Sequence, residues 1–191
     1  MPETQHIPAF EPSSWITRFA PLIAQDAHIL DVACGSGRHT KYFLEGETRV
    51  TAVDIDTRAL AAWAGEWLES GALELIEADL EAGPWPLSGR QFDGVIVSNF
   101  LWRPILADIL GSVAPGGILI YETFGQGNEA HRRPTNPDYL LAPGELLAAA
   151  DDGFEVLSYE FGLVDRQPKA VVSRICAVKD GGAAQLDLNE D

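Results

Sequence analysis

Short runs of aliphatic and β-branched residues alternate with segments whose apolar positions recur every three to four residues, from about residue 12 to residue 178. The first pattern predicts buried strands over 28–33, 49–54, 73–78, 92–98, 117–122, 154–161 and 170–178. The second predicts helices over 15–24, 38–44, 58–69 and 145–150. Their openings carry start signals: Pro12-Ser13-Ser14, Ser36, Asp56-Thr57 and Pro143-Gly144. Apolar strands separated by helices imply a mostly parallel sheet covered on both faces. The last two strands leave no room for a helix between them, so they are expected to pair antiparallel.

A chain of 191 residues fits one domain, expected over 12–179, with no repeat or internal linker. Both ends differ from the interior. Residues 1–11 are expected to be a loose segment and 180–191, DGGAAQLDLNED, a disordered acidic tail with too little apolar surface to order itself. Charge then narrows the partners. Asp and Glu number 29 against 13 Lys and Arg, a net −16, which repels a polyphosphate backbone, so no nucleic-acid partner is expected. No apolar run approaches the roughly 20 residues of a membrane span, and the opening MPETQHIP lacks a basic flank. A soluble, cytoplasmic protein without membrane contact is the expectation. Cys34 and Cys176 stand far apart without partners at ligand spacing, so neither a disulfide framework nor a metal site is expected.

Candidate chemistry concentrates in LDVACGSGRHT, residues 30–40, where a buried strand runs into a glycine turn and a helix. Gly35 and Gly37 bare the main chain for a ligand, and the helix start offers unpaired N–H groups. A dinucleotide fingerprint would need a third glycine where Thr40 stands. Asp31, just before the turn, would repel a pyrophosphate and attract a cation. Asp54 ends the second strand, where a carboxylate meets ribose hydroxyls, and Asp79 ends the third, in reach of an adenine amino group with Leu80 beside the ring. Three acids at three successive strand ends form a constellation, because open parallel sheets bind ligands beyond the carboxyl ends of their strands.

With these motifs in this order, residues 12–178 resemble the class I S-adenosylmethionine-dependent methyltransferases. The resemblance implies a Rossmann-like α/β fold with a seven-stranded, mostly parallel sheet and an antiparallel last strand. It implies S-adenosyl-L-methionine as cofactor, with Asp31, Ala33, Gly35 and Gly37 on the methionine side, Asp54 and Ile55 at the ribose, and Asp79 and Leu80 at the adenine. Asn99 and Phe100 would border the reactive methyl. Ala33 departs from the pattern by replacing the first glycine of the usual triplet. The stretches FDGVIVSNFLWRPIL, APGGILIYETFGQGNE and RRPTNPDYLLAPGELL look similar to a bacterial branch of tellurite-resistance-type methyltransferases.

Each of these residues has a structural alternative. Asp31 can cap the turn, Asp54 can serve a helix start, and Asp79 can be one solvated carboxylate beside Glu77 and Glu81. Cys34 reads better as a small buried residue than as a nucleophile, and His39 as a packing or solvent-facing residue than as a base. Trp63 and Trp67 have the spacing of a helix face, while Trp102 suits a pocket wall and a packing role equally. On the acceptor side the long segment 123–143 is expected to be functional. Asn99, Arg103, Glu122, His131, Arg133 and Tyr139 are the pocket candidates, without an assigned base. Arg103, Arg132 and Arg133 would form a positive focus for an anionic small molecule, unless Arg103 or Arg133 pairs with Glu122 or Glu145 to pin the loop. Methyl transfer to a small molecule is the expected function. A non-catalytic cofactor-binding subunit is the principal alternative, ahead of an RNA or protein methyltransferase and an NAD-dependent oxidoreductase.

Overall fold

The computed structural model describes residues 11–150, 153–164 and 168–181. Its strands are β1 His28–Val32, β2 Arg49–Asp54, β3 Leu73–Glu77, β4 Phe92–Ser98, β5 Val113–Phe124, β6 Phe154–Val164 and β7 Ala170–Lys179. They form one sheet in the order β3-β2-β1-β4-β5-β7-β6. The first five run parallel and β7 lies antiparallel to both of its neighbours, as the short β6–β7 connection required. The chain steps outward from β1 to β2 and β3, then returns to place β4 on the other side of β1. That reversal opens a crevice at the strand ends, between the diverging connections.

Side chains alternate between two cores. Leu30, Val32, Val53, Val95, Val97, Leu119 and Tyr121 pack with Ile109 and Leu146 on one face. Ile29, Val50, Ala52, Ile96, Ile118 and Ile120 pack with Trp15, Phe19, Phe43 and Leu60 on the other.

The helices depart from expectation where local chemistry overrides periodicity. Helix α1, Ser14–Phe19, is capped by the Ser13 side chain on the Trp15 N–H, but passes into a 3₁₀ turn at Ala20–Leu22. Pro21 supplies no N–H to continue the α-helical ladder, and Ile23 turns extended at φ −90° and ψ +133°, so the helix expected to residue 24 stops early. Helix α2, Arg38–Glu45, opens on Gly37 in the left-handed region, with no side-chain cap from Ser36. The single helix expected over 58–69 is two, α3 Arg58–Ala61 and α4 Gly65–Ser70, broken where Trp63 turns its indole N–H onto the Ser36 carbonyl. Helix α5, Leu106–Gly111, was not anticipated; α6 spans Glu145–Ala149. Of the expected loose ends, 1–10 and 182–191 lie outside the described residues.

Candidate active site

The turn after β1 is built from three left-handed residues in five: Ala33, Gly35 and Gly37, at φ +53°, +56° and +82°. The two glycines serve different ends. Nothing lies within 4 Å of a Cβ placed on Gly35, so its backbone faces open space. A Cβ on Gly37 would stand 2.7 Å from Leu60 Cγ and 2.8 Å from Trp63 Cζ2. The missing Gly37 side chain thus makes room for α3 and Trp63, and that of Gly35 leaves open space. Ala33 holds the left-handed conformation with a methyl group, at a cost of about 1 kcal/mol.

Asp31 does not stand at the mouth of the crevice. It is 1% exposed, and its Oδ2 accepts the Thr40 hydroxyl at 2.6 Å. Burial raises its pKa to about 6 against the Thr40 hydrogen bonds and Arg38, which lower it. Thr40, where a dinucleotide fingerprint requires glycine, is thus the partner of this acid. Its charge acts on the turn from behind.

Asp54 is held by backbone: Oδ2 accepts the Gly35 N–H at 2.8 Å and Oδ1 the Asp56 N–H at 3.1 Å. Each carboxylate oxygen keeps a further lone pair, enough for vicinal hydroxyls. Asp79 Oδ1 accepts the Glu81 and Ala82 N–H groups, a capping turn after β3. These residues converge. Ala33, Asp54, Ile55, Ala78, Asp79, Leu80, Glu81 and Phe100 line a cavity of about 370 Å³ at the ends of β1 to β4. Ile55, 64% exposed, presents bare apolar surface to it, opposite Leu80 and Phe100. Of the ten cofactor residues expected, Asp31, Gly35, Gly37 and Asn99 are not among its lining. Ala78 and Glu81 line it unanticipated, although both lie beside Asp79 and Leu80 in the run IEADLE, residues 76–81. A larger groove, about 470 Å³ between the end of α1 and α2, brings no comparable set of strand-end acids together.

This donor set fits S-adenosylmethionine. Asp54 offers a ribose clamp, Leu80 and Ile55 offer apolar faces for a base, and Asp54, Asp79 and Glu81 leave no cation on the lining for a pyrophosphate. Cys34 is buried and its thiol is pushed up by desolvation, which removes it as a nucleophile. His39 accepts the Ser13 N–H on Nε2, and burial drives its pKa down to about 3. It stays neutral and ties α1 to α2.

The pocket candidates are dispersed. Arg103 is spent on the loop: it grips Glu145 with Nε and Nη2, at 2.6 and 3.0 Å, and the carbonyls of Asp138 and Leu140. Arg132 lies over Phe124, and Arg132, Arg133 and His131 are exposed. Tyr139 stacks on Trp102 and donates its hydroxyl to Glu81 Oε2 at 2.9 Å, which raises its pKa. The segment 123–143 is ordered from within by Asn128. Its amide donates to the Arg132 and Pro134 carbonyls and accepts the Val171 N–H. Through its hydroxyl Tyr139 meets the cavity lining at Glu81, while Asn99 and Glu122 are joined through backbone, the Asn99 N–H donating to the Glu122 carbonyl at 3.0 Å. Asn99 tolerates its φ of +57° better than other side chains would.

Comparison with known proteins agrees with this geometry. Residues 29–117 match the family model of a methyltransferase domain. The ribosomal RNA small subunit methyltransferase H of Gemmatimonas aurantiaca is 35% identical over 100 residues, 49% of this chain and 30% of that protein. The chain spans between 30% and 60% of the length of the curated relatives it matches. Among solved structures, TehB from Haemophilus influenzae superposes with a TM-score of 0.71 at 18% identity, covering 88% of this chain and 62% of the other. The 1,6-didemethyltoxoflavin-N1-methyltransferase of Burkholderia thailandensis, with its acceptor and S-adenosylhomocysteine bound, gives 0.64 at 21%, covering 87% and 76%. At these identities the two structures establish the fold.

Proposed function

We propose that this chain, whose residues 29–117 match the family model of a methyltransferase domain, is a class I S-adenosylmethionine-dependent methyltransferase that transfers the cofactor's methyl group to a small-molecule acceptor. The observation that carries this reading is the cavity at the ends of β1 to β4, where Asp54 and Asp79 flank apolar walls beside the open Gly35 backbone. The cofactor supplies an electrophilic methyl on a sulfonium sulfur. The protein's part is alignment: Asp54 holds the ribose, Leu80 and Ile55 sandwich the base, and Asp31 favours the cationic methionine end through the turn. Such positioning is worth roughly 7–11 kcal/mol of barrier without acid or base chemistry. Asn99 and Phe100, at the exit of β4, border the transfer path.

A small acceptor is supported by the net charge of −16, which disfavours a nucleic-acid backbone, and by the commitment of Arg103 to Glu145 and two loop carbonyls. No helix among the described residues is long and apolar enough to cross a membrane. Calorimetry with S-adenosylhomocysteine and with NAD tests the cofactor: the first is expected to bind and the second not. Label transfer from methyl-tritiated S-adenosylmethionine to a panel of small molecules and to ribosomal RNA tests the acceptor. Transfer to RNA alone would reject the small-molecule reading, and tight binding with no transfer to anything would favour a non-catalytic subunit.

A further inference from the structure

One wall of the cofactor cavity is held from β5, by a side chain that does not line the cavity itself. Asn99 turns left-handed at φ +57°, as Ala33 does at the exit of the neighbouring β1, and Phe100 follows it into the cavity lining. Such a backbone persists only where its surroundings hold it. Two consecutive residues of β5 do so. The Glu122 carbonyl accepts the Asn99 N–H at 3.0 Å, and the Tyr121 hydroxyl donates to the Phe100 carbonyl at 2.9 Å. Tyr121 is in register with Val97 of β4, so its hydroxyl reaches three residues forward along that chain to the carbonyl. It is 0% exposed and packs on the face that carries Leu80, Leu101 and Ile175. Desolvation pushes its pKa up, so the hydroxyl stays protonated and remains a donor.

A phenol buried to this extent needs an acceptor, and here the acceptor is the main chain of a cavity residue. We infer that Tyr121 is a positioning residue of the methyl transfer: its hydroxyl fixes the Phe100 main chain, and with it the wall that Phe100 presents beside Ala33 and Leu80 to the cofactor. The inference rests on the proposed methyl transfer and adds to it a residue that acts through another. In that role Tyr121 makes no bond to the cofactor and exchanges no proton with the acceptor. Without the hydroxyl, the Asn99–Phe100 turn keeps the Glu122 tether, and Phe100 samples positions that no longer match a bound cofactor. Alignment is where such a shift is felt, since a displacement of about 1 Å at a reacting group can cost about a hundredfold in rate.

The test is a double-mutant cycle on the full chain, read by calorimetry with S-adenosylhomocysteine. Tyr121→Phe keeps the ring in the core and removes only the hydroxyl, and it is expected to weaken binding about fivefold. Phe100→Ala, at a half-buried position, is expected to weaken it about tenfold. In the double variant the loss should match that of Phe100→Ala alone to within about twofold, because Tyr121 acts through Phe100. A side chain that merely stabilises the fold would lower the urea midpoint of Tyr121→Phe and leave its affinity for S-adenosylhomocysteine untouched. Wild-type affinity in Tyr121→Phe, or losses that multiply in the double variant, would overturn the inference. Should Tyr121→Phe fail to fold, Phe100→Ala decides alone: a loss upholds the inference, and unchanged affinity overturns it by leaving Tyr121 no wall to position. A wild type that does not bind S-adenosylhomocysteine defeats the cofactor reading and this inference with it, whereas the other failures strike the inference alone.

Discussion

The two sides of the crevice are held together over very different chain distances. On the β3-β2-β1 side, Asp54 is fixed by the N–H groups of Asp56 and Gly35, two and nineteen residues away, and Asp79 by Glu81 and Ala82. On the β4-β5-β7 side, Arg103 reaches Glu145 across 42 positions, Asn128 reaches Val171 across 43, and Tyr139 reaches Glu81 across 58. The first side is a set of strand ends with local turns. The second is a loop that acquires its shape only when distant elements have docked. The first side is therefore fixed mainly by neighbours in sequence, while the second depends on the assembled fold.

Substitutions can sharpen this contrast, beginning with the severest. Gly37→Val should be the most damaging, since its side chain collides with Leu60 and Trp63 in a left-handed backbone. A loss of about 3–5 kcal/mol in urea denaturation is expected, with S-adenosylhomocysteine binding abolished. Survival of both would mean the turn is not locked by α3.

Asp31→Asn should change the pH profile. The buried acid titrates near 6 when folded against 3.8 as the reference, so the native state holds the proton more tightly. Its contribution to stability is therefore full below about pH 4 and is lost as pH rises through about 6, by up to about 3 kcal/mol. Denaturation curves of the variant should flatten across that window, with S-adenosylmethionine bound more weakly. A slope identical to the wild type would place the titration elsewhere.

Asp54→Ala removes the acceptor for the Gly35 and Asp56 N–H groups together with the ribose clamp. S-adenosylhomocysteine affinity should fall about thirtyfold, or about 2 kcal/mol, by calorimetry. On the other side, Arg103→Ala should cost about 1 kcal/mol, because the Glu145 pair is partly exposed and screened. Its signature is local: faster proteolysis within 125–143 with cofactor affinity retained. A parallel loss of cofactor affinity would erase the contrast between the two sides. Smallest of all, Ala33→Gly relieves the left-handed methyl and should raise stability by about 1 kcal/mol or less.

All seven strands were legible in the sequence, because buried parallel strands announce themselves as apolar runs, as was the antiparallel hairpin that ends the sheet. Helix limits were less so. Pro21 ended α1 early, and Trp63 broke the helix after β2 to clamp the glycine turn, a contact across 27 positions that no periodicity reveals. Glu81 reads from sequence as one solvated acid among several, and becomes a cavity residue only through the turn that Asp79 caps.

What the order of residues determined by itself was one side of the crevice: strand, glycine turn and helix, then an acid near each of three strand ends. Those features depend on neighbours along the chain, through backbone conformation and short-range hydrogen bonds. Folding alone decided that Asp31 retires behind Thr40, that Arg103 becomes a loop anchor, and that Glu122 is buried opposite Arg174. Each outcome turns on which distant side chain arrives first within hydrogen-bonding range, and three-dimensional packing sets that distance.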